Sequence, residues 1–157
     1  MDILNILLVD DDQNLVKTLS YGLRKAMGEA ISVAVCFSGS EALALLATQA
    51  FDVVVSDFNM PGLSGLELLQ MIRQDYREMI LVLITAYGTD ALEEGARQLG
   101  VWYITKPFEP SFLMQLIKGL VQGEETTSRT EKASRIMDKL GKSAGSSQSI
   151  PLGGEAI

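Results

Sequence analysis

Ile6-Leu7-Leu8-Val9-Asp10-Asp11-Asp12 decides the architecture: four apolar residues run unbroken into three carboxylates. A continuous apolar run of strand length, ending in charge, fits a strand covered on both faces, as in a parallel sheet. The pattern recurs down the chain. Apolar runs occupy Ile3–Val9, Ile31–Phe37, Phe51–Ser56, Met79–Ile84 and Val101–Ile104. Between and after them apolar residues fall at spacings of three and four, as in Leu15/Leu19/Leu23, Leu43/Leu46, Leu66/Leu69/Ile72 and Phe112/Leu116/Leu120. Such alternation predicts five βα units within residues 1–122, an α/β fold with helices on both faces of a parallel sheet. Right-handed crossovers leave few topologies.

The punctuation agrees. Ser38 with Glu41 three residues later predicts a capping box at the second helix. Met60-Pro61-Gly62 is a turn signal, and Leu99-Gly100 ends the fourth helix before the fifth strand. No internal repeat is present. Beyond residue 122 the composition changes to Gly, Ser and Thr, with only Ser134–Leu140 showing helical spacing. That segment has too little apolar surface to offset its ordering entropy, so residues 123–157 read as a linker or tail.

Charge and composition exclude several classes of function. The formal charge is −7, and all of it lies in residues 1–122, where 15 acidic side chains oppose 8 basic ones. That balance argues against direct binding of nucleic acid or an anionic membrane. The absence of histidine removes His-based triads, His metal sites and any phospho-His relay carried by this chain. One cysteine, Cys36, cannot form an intramolecular disulfide and reads as a small buried hydrophobe. The start lacks the basic residues of a signal peptide, and no apolar run approaches the roughly 18 residues of a membrane span. The expectation is a soluble, cytoplasmic protein.

In open parallel sheets ligands bind beyond the carboxyl ends of the strands, at the switch point of strand order. Those ends carry Asp10-Asp11-Asp12, Asp57, Thr85 and Lys106. If the order is 2-1-3-4-5, Asp57 stands beside the Asp10–Asp12 cluster. Two carboxylates about 4 Å apart repel by roughly 4 kcal/mol at an effective dielectric near 20. Either one is protonated or a cation is bound. Oxygen ligands without His or Cys point to a hard ion such as Mg²⁺, with coordination positions left for water or phosphate. An ionised Asp57 needs no general base to attack phosphorus, while Mg²⁺ and Lys106 neutralise the phosphoryl oxygens and Thr85 donates to one of them.

These residues resemble the receiver domain of two-component response regulators. The resemblance rests on Ile6-Leu7-Leu8-Val9-Asp10-Asp11, Val55-Ser56-Asp57-Phe58-Asn59-Met60-Pro61-Gly62-Leu63-Ser64-Gly65, Leu83-Ile84-Thr85-Ala86-Tyr87 and Tyr103-Ile104-Thr105-Lys106-Pro107-Phe108. It implies a flavodoxin-like, doubly wound five-stranded parallel sheet of order 2-1-3-4-5 with five helices. It also implies that Asp57 accepts a phosphoryl group from the His of a sensor kinase or phosphotransfer protein. Asp11, Asp57 and the main-chain carbonyl of Asn59 would hold Mg²⁺, and Asp10 would act through a bound water. Thr85 and Tyr103 would form a switch pair. Lys106 would pair with the phosphate, and its bond to Pro107 would be cis. On an alternating strand Tyr103 and Trp102 are expected to put one ring in and one out.

Two other readings compete. A haloacid-dehalogenase-type phosphatase also uses an Asp nucleophile, but Asn14 stands where that pattern wants another residue and no cap insertion is present. A flavodoxin-like flavin binder needs a phosphate-attracting loop after the first strand, where three aspartates repel phosphate. The output is expected through protein contact, with a partner or a second copy, on the face made by the fourth helix, fifth strand and fifth helix.

Overall fold

The computed structural model describes residues 2–122. Their elements are β1 (Leu4–Val9), α1 (Gln13–Met27), a 3-10 turn (Gly28–Ala30), β2 (Ile31–Cys36), α2 (Gly39–Thr48), β3 (Val53–Asp57), α3 (Gly65–Asp75), β4 (Ile80–Thr85), α4 (Asp90–Gln98), β5 (Trp102–Thr105) and α5 (Pro110–Gln122). All strand pairs are parallel, in the order β2-β1-β3-β4-β5. The expected fold is therefore present. The reading of 123–157 as a linker or tail lies outside the described residues. No helix among the described residues is long and apolar enough to cross a membrane.

Two apolar layers explain the unbroken strand sequences. Ile6, Leu8, Val53, Val55, Val82 and Ile84 face α1 and α5, packing with Leu19, Leu23, Leu113 and Leu116. Leu7, Val9, Val54, Leu81 and Leu83 face the other way, onto α2, α3 and α4 through Leu46, Leu68, Ile72 and Ala96. Successive residues serve opposite layers, so every residue of β3 is buried. Trp102 and Tyr103 correct one expectation: both rings are buried, Trp102 against the α1/α5 layer and Tyr103 against the other. Neither points outward, because even the edge strand β5 is covered on both faces. Cys36 is buried as expected, and burial, then the nearby Glu41 charge, pushes its thiol up to about 12.

Strand pairing also runs one residue further than the apolar runs imply. Asp57 pairs with Ile84 and Thr85 with Thr105, so both polar residues are the last of their strands. Helix starts follow the side chains that can accept from a free N–H. Asp12 caps α1 by accepting from Leu15 N at 3.1 Å. Ser38 caps α2, but Glu41 accepts from Phe37 N rather than from Ser38, so the box predicted there is only half formed. The reciprocal box lies at α3, between Ser64 and Glu67. Gly100, at φ 67°, follows α4 as anticipated.

Arg73 ties the ends of two helices together. Its guanidinium donates to the carbonyls of Leu99 and Gly100 after α4, and to those of Tyr76, Arg77 and Met79 after α3. Helix ends leave such carbonyls without partners, and a planar fork of donors reaches several at once. Arg73→Ala is expected to lower unfolding stability in urea by about 2 kcal/mol. Arg73→Lys should recover less than half of that, since one ammonium cannot span both turns; full recovery would show that charge alone matters here.

Candidate functional site

The acids converge because of register. Val9 pairs with Ser56, so the next residues, Asp10 and Asp57, emerge side by side from β1 and β3. Their carboxylates and that of Asp11 offer oxygens within 4.8 Å of one another. Asp10 and Asp57 are buried, whereas Asp11 is exposed at the rim. Asp12 is not part of the cluster; its carboxylate caps α1, and its N–H donates to Asp10 Oδ1 at 2.9 Å.

Lys106 enters from the far side of the sheet edge. Its N–H donates to the Thr85 carbonyl at 2.8 Å, and the following peptide bond to Pro107 is cis. Its Nζ lies 2.8 Å from Asp57 Oδ1 and 3.7 Å from Asp10 Oδ2. Burial opposes its charge, yet the hydrogen bond and charge of Asp57, with those of Asp10, carry its pKa above the ordinary lysine value. Asp10 has the reverse problem. Burial raises its carboxyl from 3.8 to about 6, helped by the charges of Asp57 and Asp11 and opposed by the Asp12 N–H and Lys106.

Of the remaining predicted residues, Thr85 and Asn59 lie at the same carboxyl edge of the sheet and Tyr103 does not. Thr85 is buried at the end of β4, and its Oγ1 accepts from Tyr87 N at 3.2 Å. Asn59 lies two residues after Asp57, exposed in the loop that leads to α3. Tyr103 stands apart, beneath the β4–α4 loop. Its Oη lies against Gly88, with no hydrogen-bond partner of good geometry among the described residues. Burial, then the Glu93 charge, raises its phenol above the ordinary value, with the Thr89 backbone nearby opposing.

One contributor escaped the sequence reading. Gly65 begins α3 directly against the Asp57 carbonyl, and a Cβ there would run into that oxygen. Its N–H donates to the Phe58 carbonyl at 2.8 Å, closing the loop behind Asp57. The signal was the pair Ser64-Gly65 itself, a cap residue followed by a glycine where a helix starts.

Oxygen-only donors of this kind suit a hard divalent cation, and a lysine opposite suits an anion placed between them. The family comparison agrees: residues 6–118 match the response regulator receiver domain. The chain belongs to that family. The receiver domain serves two-component systems, and the phosphatase and flavin-binder readings are set aside. Among relatives, the response regulator FleR of Pseudomonas aeruginosa is 36% identical over 159 residues, covering 96% of this chain and 33% of FleR. The transcriptional regulatory protein GlrR of Escherichia coli is 37% identical over 114 residues, covering 72% of this chain and 25% of GlrR. The chain thus spans a third or less of these relatives. Among solved structures, the BeF3-activated receiver domain of DrrB, a response regulator of Thermotoga maritima, superposes with a TM-score of 0.69 at 30% identity, covering 77% of this chain and 99% of that one. The chemotaxis response regulator CheY4 of Vibrio cholerae gives 0.66 at 27%, covering 74% and 98%.

The charge on Asp10 sets a testable pH dependence. Its folded pKa lies above its unfolded one, so the folded receiver holds more protons between pH 4 and 6 and this group stabilises it as pH falls. Above pH 6 the ionised form costs the fold about 2–3 kcal/mol. Asp10→Asn keeps an acceptor for Asp12 N and should gain about that much at pH 7.5 without metal, and almost nothing at pH 4. Denaturant unfolding at the two pH values checks this; an equal gain at both would refute the electrostatic cause.

Proposed function

We propose that residues 1–122 act as a phosphorylation switch in which Asp57 takes a phosphoryl group from the phospho-His of a sensor kinase or phosphotransfer protein. The observation that carries this reading is the carboxylate cluster of Asp10, Asp11 and Asp57 with Lys106 Nζ 2.8 Å from Asp57. The Asp57 carboxylate attacks phosphorus, the bond from phosphorus to the donor nitrogen breaks, and because the donor's other ring nitrogen carries a proton the imidazole leaves neutral. The chain modifies its own side chain, so it is a switch and not a turnover enzyme.

Asp11, Asp57 and the Asn59 main-chain carbonyl would hold Mg²⁺, and Asp10 would assist through a water. Three carboxylates against one lysine leave two negative charges, which a divalent ion balances. When bound, the ion supplies charge neutralisation at the phosphoryl oxygens. Lys106 exchanges its Asp57 partner for a phosphoryl oxygen, which keeps the ammonium paired throughout.

The switch then runs through two hydroxyls. Thr85 Oγ1 accepts from Tyr87 N, and it turns its own proton to the phosphoryl group. Tyr103 follows as the β4–α4 loop shifts; its Oη, buried against Gly88 without a well-placed partner, supports the idea of a residue held in one of two settings. The readout face is α4, β5 and α5, presented to a downstream protein or to a second copy in the cytoplasm. Direct nucleic-acid binding is no part of this role, and residues 123–157 serve as linker or tail.

Acetyl phosphate labelled with ³²P, supplied with MgCl₂, tests the proposal. Native chain should label, chelation should abolish labelling, and Asp57→Asn should not label. Lys106→Ala should still label, slower on the order of 10²-fold. Equal labelling of native and Asp57→Asn protein would overturn it.

A further inference from the structure

The phosphoryl chemistry uses only the carboxyl ends of the strands. At their amino ends Leu4, Phe51, Met79, Ile80, Leu120 and Val121 line an open apolar groove of about 580 Å³, with Asp52, Glu78 and one cation, Arg77, also on its wall. A smaller groove between α2 and α3, about 240 Å³, shares Tyr76 with it. Six large apolar side chains are exposed among the described residues, and four gather here: Tyr76 and Val121 line the first groove, Met71 the second, and Ile3 precedes Leu4. Contiguous exposed apolar surface of this kind marks a docking place.

The chain itself arrives there. Leu120 and Val121 are wall residues, and residues 123–157 follow at once. Within them Ala133, Ile136, Met137 and Leu140 recur at i, i+3, i+4 and i+7, the spacing of one helix face. All five basic residues of 123–157 fall in 129–142, as Arg129, Lys132, Arg135, Lys139 and Lys142, against Glu131 and Asp138. This basic stretch follows a body that carries −7, and the groove's charged residues are two acids, Asp52 and Glu78, against one Arg77. The connection from the wall to Ala133, residues 123–132, reaches at most about 36 Å, and five strands span only about 20 Å.

We infer that residues 129–142 dock in this groove of their own molecule, with Ala133, Ile136, Met137 and Leu140 on its apolar wall. Tethering decides the occupant: a short connection gives an effective concentration near millimolar, far above a second copy at micromolar protein. The basic residues lie toward Asp52 and Glu78, so the contact weakens with salt. The inference goes beyond the phosphoryl switch and does not depend on it.

Methyl-labelled full chain examined by NMR tests it without any phosphoryl donor or cation. Nuclear Overhauser contacts are expected between the methyls of Ile136, Met137 or Leu140 and those of Leu4, Ile80, Leu120 or Val121. Those of Met137, which keeps its methyl, should vanish in the double variant Ile136→Asp/Leu140→Asp, whose changes lie outside residues 2–122. In mixtures of labelled and unlabelled chains, no such contact should pass between molecules. Absence of the contacts in native chain, or their appearance only between molecules, overturns the inference. Because the readout needs neither Asp57 chemistry nor Mg²⁺, its failure and the failure of the switch reading are told apart.

Discussion

Three carboxylates and one ammonium crowd the carboxyl end of an apolar parallel sheet, and their imbalance governs the site. Asp10 and Asp57 are buried, so water screens their repulsion poorly. The fold meets this strain in two ways. Lys106 sits between the two acids, and Asp10 holds its proton up to about pH 6. Neither removes the excess charge at neutral pH. A divalent ion would, and the proposed phosphoryl transfer would draw on the same charge balance.

The sheet topology brings about that crowding. Parallel strands place all their carboxyl ends on one edge, and the order β2-β1-β3-β4-β5 makes β1 and β3 neighbours. Asp57 also anchors a loop: its carbonyl accepts from Ser56 Oγ and touches Gly65, which must lack a side chain. On the opposite layer, Arg73 secures the far ends of α3 and α4, while the near end of α4 begins close to Tyr103 and Gly88. The helix is thus tied at the end away from the acids.

Much of this was legible in the chain. Continuous apolar runs report burial on both faces, and the residues ending each run report the strand ends, so the fold and the acid cluster could be read in order. Details that depend on backbone geometry could not. Glu41 has the right spacing for a capping box, yet Phe37 N lies in its reach instead. Trp102 and Tyr103 alternate as expected, but an edge strand covered on both faces leaves neither exposed. Asp12 looks like a third member of the cluster until its carboxylate turns to cap α1. Gly65 and Arg73 act across long stretches of chain, and no local pattern shows which carbonyls they will meet.

The ionisation of Asp10, followed by carboxyl ¹³C NMR in the presence and absence of Mg²⁺, probes the central electrostatic claim most directly. Without the ion the group should titrate near pH 6. With saturating Mg²⁺ its midpoint should fall to or below the ordinary aspartate range near 4. A midpoint near 4 in both conditions, or one near 6 that magnesium leaves unmoved, would contradict the account.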